Sequence, residues 1–153
     1  MTEERSKVSI IVIAYNEEKN IPACLESLAA LDYPRESYEV VVVDNNSTDA
    51  TRRIVEEFSA RDPRFRLIVN PVRGIGATRN AGLRAALYDL AAYTDADCTV
   101  PPEWLSRLEA AFREACREDP KVAAAGGSSI APENTTRFRQ AVHVAVQNFW
   151  GNH

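Results

Sequence analysis

The stretch YEVVVVDNNS, from Tyr38 to Ser47, places four consecutive valines directly before an aspartate and a polar turn. A run this rich in β-branched residues is typical of a strand in a parallel sheet that is covered on both faces. The segment VSIIVIA, from Val8 to Ala14, has the same character and also ends at polar residues. We therefore predict two fully buried strands, each followed by a polar loop.

The rest of the chain alternates between the same two kinds of segment. Further strands are predicted at RFRLIVN (64–70), LAAYTDAD (90–97) and KVAAAGG (121–127), and helices at residues 16–31, 45–62, 74–89, 101–119 and 136–153. Pro22 fits a first helical turn, Asn16 or Asn20 can cap the first helix, and Ser47 or Thr48 the second. This order predicts an α/β protein: a three-layer αβα sandwich with a mostly parallel sheet, in one domain over residues 1–153.

Bulk composition excludes several classes of function. The net charge of −4 argues against nucleic-acid binding, which favours a basic face. Three scattered cysteines, Cys24, Cys98 and Cys116, predict free thiols in a reducing compartment rather than disulfides or a zinc site. The N-terminal segment lacks the features of a signal peptide, and no apolar run approaches the roughly 18 residues that span a bilayer. We expect a cytoplasmic protein without a transmembrane segment.

Ligands of such sheets bind at the carboxyl ends of the strands, so the loops AYNE, DNNS, GIGATRN and DADC are the informative ones. In DADC, Asp95 and Asp97 lie two residues apart and can point to the same side of an extended backbone, with Ala96 leaving room between them. Two close carboxylates repel unless a cation lies nearby, and Mg²⁺ or Mn²⁺ prefers such oxygen ligands. The alternative is a turn whose aspartates cap the following helix.

The first two loops offer groups that can hold a planar ligand. Asp44 stands at the end of its strand, where a carboxylate can accept hydrogen bonds from a base or ribose. Alternatively it serves only the turn, and both roles stay open. Tyr15 can stack on a base, or it is a half-buried tyrosine at the edge of the sheet.

The segment GIGATRN imitates a dinucleotide-binding fingerprint, because Gly74 and Gly76 follow a strand and open a helix. The third glycine position is Arg79, however, and several residues separate the strand from Gly74, so a nicotinamide or flavin site is disfavoured. We expect Arg79 and Asn80 to face an anionic ligand, assisted by the helix-start amides near Gly76.

These loops, in this order, resemble the family-2 glycosyltransferases of the GT-A fold. The matching segments are SIIVIAYNEEKNIPACLESL, VVVVDNNSTDAT, GIGATRNAGL and YTDADCTVPPEWL, with a weaker continuation in VAAAGGS. The resemblance implies a Rossmann-like nucleotide-binding half and inverting transfer of a sugar from a nucleoside-diphosphate donor, most often a uridine one, with Mg²⁺ or Mn²⁺.

Carried over by position, the resemblance implies roles for individual residues. Ala14, Tyr15 and Glu17 line the base pocket, Asp44 hydrogen-bonds the base, and Arg79 contacts the donor. Asp95 lies near the ribose and metal, and Asp97 ligates the metal. The remaining expected donor-site residues are Asn45, Gly76, Asn80 and Ala96.

Inverting transfer also requires a general base, and none is identified in the sequence. Glu133, His143 and His153 are poor candidates, so we expect this chain to be the donor-binding part, with the acceptor-binding half absent. A nucleotide-sugar-binding module without transfer activity is the alternative function. A nucleotidyltransferase is disfavoured, because IAYNEEKN has no glycine and one lysine. Phe149 and Trp150 in the C-terminal tail would leave apolar surface exposed, so we expect self-association through the tail or a disordered tail.

Overall fold

A computed structural model describes residues 5–72 and 74–125. Its elements in chain order are β1 (Val8–Ala14), α1 (Ile21–Ala29), a 3₁₀ turn (Arg35–Ser37), β2 (Tyr38–Asp44), α2 (Thr51–Arg61), β3 (Phe65–Val69), α3 (Ile75–Ala85), β4 (Leu90–Asp95) and α4 (Trp104–Glu118). The predicted alternation of strands and helices is therefore confirmed from β1 to α4.

The four strands form one parallel sheet in the order β3-β2-β1-β4. From β1 the chain proceeds outward to β2 and β3, and then returns to place β4 on the other side of β1. Crossovers between parallel strands are right-handed, so a reversal of direction puts the connecting helix on the opposite face of the sheet.

Packing of the side chains follows that rule. Ile10, Val12 and Val42 contribute to a core on one face together with residues of α1, α2 and the first turns of α4. Ile11 and Val43 contribute to a smaller core on the other face, with alanines of α3. The predicted α/β class and three-layer arrangement are confirmed.

α3 lies unusually close to the sheet at Gly82. A Cβ atom at this position would stand 2.4 Å from Cγ2 of Ile11 and 3.2 Å from Cγ2 of Val43. Only a residue without a side chain fits at that separation, so Gly82 sets the depth at which α3 packs.

The N-caps of α1 and α2 differ from the sequence-based prediction. α1 begins after Asn20 with Pro22 in its first turn, as expected, but the Asn20 side chain makes no capping bond. α2 begins only at Thr51, with Ala50 at the N-cap position, so the prediction of Ser47 or Thr48 as the cap was wrong. The Ser47 hydroxyl and the Thr48 amide bond instead to Asn16 in the loop after β1.

The chain divides into two compact units, Met1–Glu109 and Ala110–His153, with the boundary inside α4. In the described part of the second unit, α4 ends at Glu118 and a turn follows, in which the Val122 amide donates to the Asp119 carbonyl. Residues 121–125 form no strand, so the predicted fifth strand was wrong over this stretch. Its three alanines have low β propensity and Val122 is held in the turn.

Several predicted features lie outside the described residues. They are the end of the predicted fifth strand (Gly126, Gly127), the tail helix, the candidate bases Glu133, His143 and His153, and the aromatic pair Phe149 and Trp150. The single domain over residues 1–153, the absent acceptor-binding half and self-association through the tail stay predictions.

No helix within residues 5–72 and 74–125 combines the length and the apolar character needed to cross a membrane. The predicted free thiols are confirmed for Cys24, which is buried, and for Cys98 and Cys116, which are half-buried.

Candidate functional site

The sheet reverses its strand order between β1 and β4, and ligands of open α/β sheets bind outside the carboxyl ends of the strands at such a point. At this edge Asp44 pairs with Ala14, and Asp95 pairs with Ile13. Neighbouring strands are about 4.8 Å apart, so about 10 Å separates the ends of β2 and β4 across β1. Ala14 faces the α1–α2 side, so Asp44 does too, whereas Asp95 projects from the α3 side.

The loops after β1 and β2 are joined by hydrogen bonds. Asn16 has a left-handed backbone (φ 55°), its amide donates to Ser47 Oγ at 3.0 Å, and its Oδ1 accepts from the Thr48 amide at 2.8 Å. The Glu17 amide donates to Thr51 Oγ1 at 2.8 Å. These bonds make the two loops one rigid unit and explain why Ser47 and Thr48 do not cap α2.

The predicted base-pocket residues lie on this unit. Ala14 is completely buried, and Tyr15 directly after it is 41% exposed. Glu17 is half-buried and accepts a hydrogen bond from Nδ2 of Asn20 at 2.7 Å. The structure thus brings an exposed aromatic ring and a carboxylate to the carboxyl edge of the sheet, beside the end of β1. This edge, at the point between β1 and β4 where the strand order reverses, is called the switch point below.

Asp44 is completely buried, and its carboxylate is held from two sides. The Ser47 amide donates to Oδ1 at 3.1 Å, and Arg52 Nη2 on α2 donates to Oδ2 at 2.9 Å. The turn role that the sequence left open is therefore present. The contact with Arg52 was not anticipated from the sequence.

Arg52 did carry a signal that sequence reasoning missed. It is the second residue of α2, where the partial positive charge of a helix N-terminus disfavours a cation. An arginine in that position indicates a nearby acidic partner, and Asp44 is that partner.

Asn45 connects the β1–β2 edge to the start of α3. Its amide donates to the Ala14 carbonyl at 2.8 Å, and its Oδ1 accepts from the Gly74 amide at 3.3 Å. Gly74 has φ 145°, a conformation that side chains disfavour. Asn70, buried and missed by sequence analysis, donates from Nδ2 to Thr78 Oγ1 at 3.1 Å and so ties the β3–α3 loop to α3.

Three predicted donor-site residues, Gly76, Arg79 and Asn80, lie on α3 and all are exposed. Burial raises the pKa of the Tyr93 hydroxyl on β4, and the positive charge of Arg79 opposes that rise. Arg79 therefore acts electrostatically on the strand that carries Asp95.

Asp95 is the last residue of β4, and Asp97 lies in the turn that follows. The Ala96 amide donates to the Ile13 carbonyl and the Cys98 amide to the Asp95 carbonyl, each at 3.1 Å. Ala96 is buried, whereas both aspartates are exposed. The backbone of this turn is thus anchored to β1 while its two carboxylates face outward.

Two thiols lie beside the aspartate turn. Burial raises the pKa of Cys24 to about 12, and neighbouring Cys98, Asp97 and Asp95 add to the rise. Burial, followed by the charge of Asp97, raises the pKa of Cys98 to about 11. The carboxylates of Asp95 and Asp97 place hard oxygen donors in the immediate neighbourhood of these two thiols.

Within the described residues, no group of three or more histidine, cysteine or acidic side chains is placed to hold a metal. Asp95 and Asp97 offer carboxylates from one short turn. One or two carboxylates completed by phosphate oxygens and water are a usual set of ligands for Mg²⁺. The aspartate pair therefore fits a hard divalent cation that arrives with a phosphate ligand.

Comparisons with known proteins agree with this geometry. Residues 9–149 match the sequence model of the family described as Glycosyl transferase family 2. The chain is 40% identical over 108 residues to Glycosyltransferase AglE of Haloferax volcanii, an overlap that covers 70% of this chain and 36% of that protein.

Two solved structures share the fold. Mannosyltransferase PcManGT from Pyrobaculum calidifontis, in complex with GDP-Man and Mn²⁺, has a TM-score of 0.65 at 35% identity, covering 69% of this chain and 32% of that one. Residues 1–349 of Staphylococcus aureus TarS, in complex with UDP-GlcNAc, have a TM-score of 0.63 at 33% identity, covering 82% and 37%. The chain thus spans about a third of the length of these relatives.

Proposed function

The chain belongs to glycosyl transferase family 2, and from this membership we propose that it binds a nucleoside-diphosphate sugar and supports inverting transfer of the sugar, assisted by Mg²⁺ or Mn²⁺. The observation that carries the proposal is the outward-facing pair Asp95 and Asp97 at the switch point, on an anchored turn beside the rigid loops after β1 and β2. A nucleotide and a cation can occupy neighbouring parts of that one edge.

For the donor we propose a UDP-sugar. Relatives are known with UDP-GlcNAc and with GDP-Man, so both bases are compatible with the fold. We assign the base pocket to Ala14, Tyr15, Glu17 and Asn45, with the exposed ring of Tyr15 stacking on the base. Such stacking is worth about 1–3 kcal/mol per base.

Asp44 is proposed as the hydrogen-bond acceptor for the base. Its Oδ2 accepts from Arg52, while Oδ1 receives the single amide of Ser47 and keeps capacity for one more donor. The carboxylate is completely buried, so a base N–H reaches Oδ1 only if surrounding side chains rearrange on binding.

The diphosphate is proposed to lie between α3 and the aspartate turn. Arg79 supplies a planar guanidinium suited to phosphate oxygens, and Asn80 and the α3 amides near Gly76 supply further donors. Asp97, with Asp95 and the backbone at Ala96 beside it, would hold the cation. When bound, that cation supplies positive charge that stabilises the departing diphosphate.

Transfer with inversion also needs a base for the proton of the acceptor hydroxyl. Asp95 and Asp97 are committed to the cation in this scheme, and we assign no general base among the described residues. The acceptor and its site are likewise unassigned.

Calorimetry tests the proposal with UDP, GDP, CDP and dTDP, each with and without MnCl2. We expect UDP to bind, and to bind more tightly with Mn²⁺. Binding of none of the four under either condition would refute the proposed function. A product-forming assay with the sugar donor and a range of acceptors distinguishes the alternative. Tight nucleotide binding together with only slow hydrolysis of the donor would favour a nucleotide-sugar-binding module without transfer activity.

A further inference from the structure

The turn that carries Asp95 and Asp97 rests on α1. Cys24 Sγ lies 3.7 Å from the Asp95 carbonyl oxygen, and Ser27 Oγ accepts from the Val100 amide at 3.2 Å. One helix therefore contacts the backbone just before Asp97 and just after it.

A third contact lies further along the same connection. The Asp32 amide, shortly beyond the end of α1, donates to the Pro102 carbonyl at 2.8 Å. The segment between β4 and α4 is thus tied at its beginning, middle and end to α1 and the residues that follow it.

The middle contact depends on a single hydroxyl. Ser27 Oγ donates its proton to the Cys24 carbonyl of its own helix at 2.8 Å and accepts from Val100 with a lone pair. The intrahelical bond fixes the direction of the proton, so the acceptor lone pair is already aimed at the loop. This pre-orientation reduces the torsional freedom that is lost when the loop docks.

The position of the Val100 amide in turn restricts the backbone of Asp97, the proposed metal ligand. Val100 is half-buried against the core, and the residue before a proline is restricted to extended backbone, here by Pro101. Only Cys98 and Thr99 separate Val100 from Asp97. A shift of the Val100 amide is therefore transmitted to the Asp97 backbone over two residues.

We propose that Ser27 is a positioning residue for the metal-binding turn, holding Asp97 in its cation-binding orientation through the Val100 amide. The inference rests on the proposed function, because it assigns Ser27 to the same site. Ser27 does not touch the ligand, and its effect is confined to the metal-dependent part of nucleotide affinity.

The test compares Ser27→Ala with Ser59→Ala. Ser59 is also a half-buried helical serine whose Oγ donates to a carbonyl of its own helix at 2.8 Å, but it lies on α2 away from the turn. UDP and GDP affinities of the 153-residue wild-type chain are first measured against increasing MnCl2. The nucleotide that binds more tightly then serves as the probe for both variants.

We expect Ser27→Ala to raise the apparent Mn²⁺ dissociation constant about threefold to tenfold, the range set by loss of one net hydrogen bond. Metal-free nucleotide affinity should stay unchanged, and Ser59→Ala should match the wild type. Ser27→Thr keeps the hydroxyl and should restore Mn²⁺ affinity. Hydrogen exchange at the Val100 amide should become faster in Ser27→Ala alone.

The outcomes separate the two claims. If wild-type chain binds nucleotide without any Mn²⁺ effect, the proposed metal role fails and the inference fails with it. If Mn²⁺ tightens wild-type binding but Ser27→Ala behaves as Ser59→Ala does, only the inference is refuted. Equal losses of affinity with and without Mn²⁺ would also refute it, since they indicate a general effect on the fold.

Discussion

Asp44 and Arg52 form an ion pair in which Arg52 Nη2 lies 2.9 Å from Asp44 Oδ2, with the aspartate side chain completely buried and the arginine side chain 38% exposed. The pair joins the end of β2 to the first turn of α2. It supplies the positive charge that a carboxylate needs when it is removed from water at the carboxyl edge of the sheet.

Removal of Arg52 should destabilise the fold. Arg52→Gln leaves the buried Asp44 carboxylate with the Ser47 amide as its remaining described donor. We expect a loss of about 1–3 kcal/mol in the free energy of unfolding, measured by urea titration at neutral pH. Arg53→Gln is the matched control, because its 2.7 Å pair with Glu57 is exposed on both sides and should contribute less than about 0.5 kcal/mol. Equal losses in the two variants would contradict this account.

The proposed role of Asp97 predicts a change in metal dependence without a change in the fold. Asp97→Ala should abolish the Mn²⁺-induced gain in UDP affinity, while unfolding free energy stays within about 0.5 kcal/mol because the side chain is exposed. Asp89→Ala removes another exposed carboxylate, directly before β4 at its opposite end, and should keep the full Mn²⁺ effect. Calorimetry and urea unfolding measure the two quantities, and a persisting Mn²⁺ effect in Asp97→Ala would exclude Asp97 as a ligand.

The close approach of α3 predicts opposite results for two glycines of one helix. Gly82→Ala forces a Cβ atom against Ile11 and should cost about 1–3 kcal/mol in unfolding free energy. At Gly76 nothing lies within 4 Å of the added Cβ, and alanine should stabilise the helix by about 0.5–1 kcal/mol. Thermal or urea unfolding of the two variants checks the signs. Stabilisation by Gly82→Ala would show that α3 sits further from the sheet.

Asp62 should make stability depend on pH in the acid range. A hydrogen bond from Arg64, with Nε 3.0 Å from Oδ1, holds the pKa of Asp62 below its usual range, although burial opposes this. A lowered folded-state pKa contributes stability above the unfolded-state pKa of about 3.9, and this is lost as pH falls through the folded-state value. Wild type should therefore exceed Asp62→Asn in unfolding free energy at neutral pH, and the gap should narrow below about pH 4. If the difference in unfolding free energy between wild type and Asp62→Asn stays constant on acidification, ionisation of the Asp62 carboxyl group is not its cause.

The parts of the fold that follow from local pattern were predictable from the sequence. The valine and isoleucine runs gave β1 and β2 with both faces covered, and the position of Pro22 in a first turn gave the start of α1. The loops at the strand ends were also predictable, because the parallel sheet gathers them at one edge.

Features that depend on contacts between distant segments were not predictable in this way. Ser47 and Thr48 have good capping chemistry, but Asn16, some thirty residues earlier, engages them. Glu109 is a charged residue on the α4 face that packs on the core. It is buried there because its carboxylate accepts a hydrogen bond from the Ser6 amide at 2.7 Å. Local periodicity contains no information about such partners.

The central position of β1 has a consequence for how the chain reaches its native state. β1 pairs with β2 nearby in sequence, but its other edge pairs with β4, so that Val8 lies beside Leu90. Pairings between remote segments form slowly, because the intervening loop must close first. During synthesis β1 and β2 can associate early, whereas the aspartate turn reaches its place only after Leu90–Asp95 has emerged and docked. We therefore expect the site to be completed late in folding, so that acquisition of metal-dependent nucleotide affinity would report arrival at the native topology.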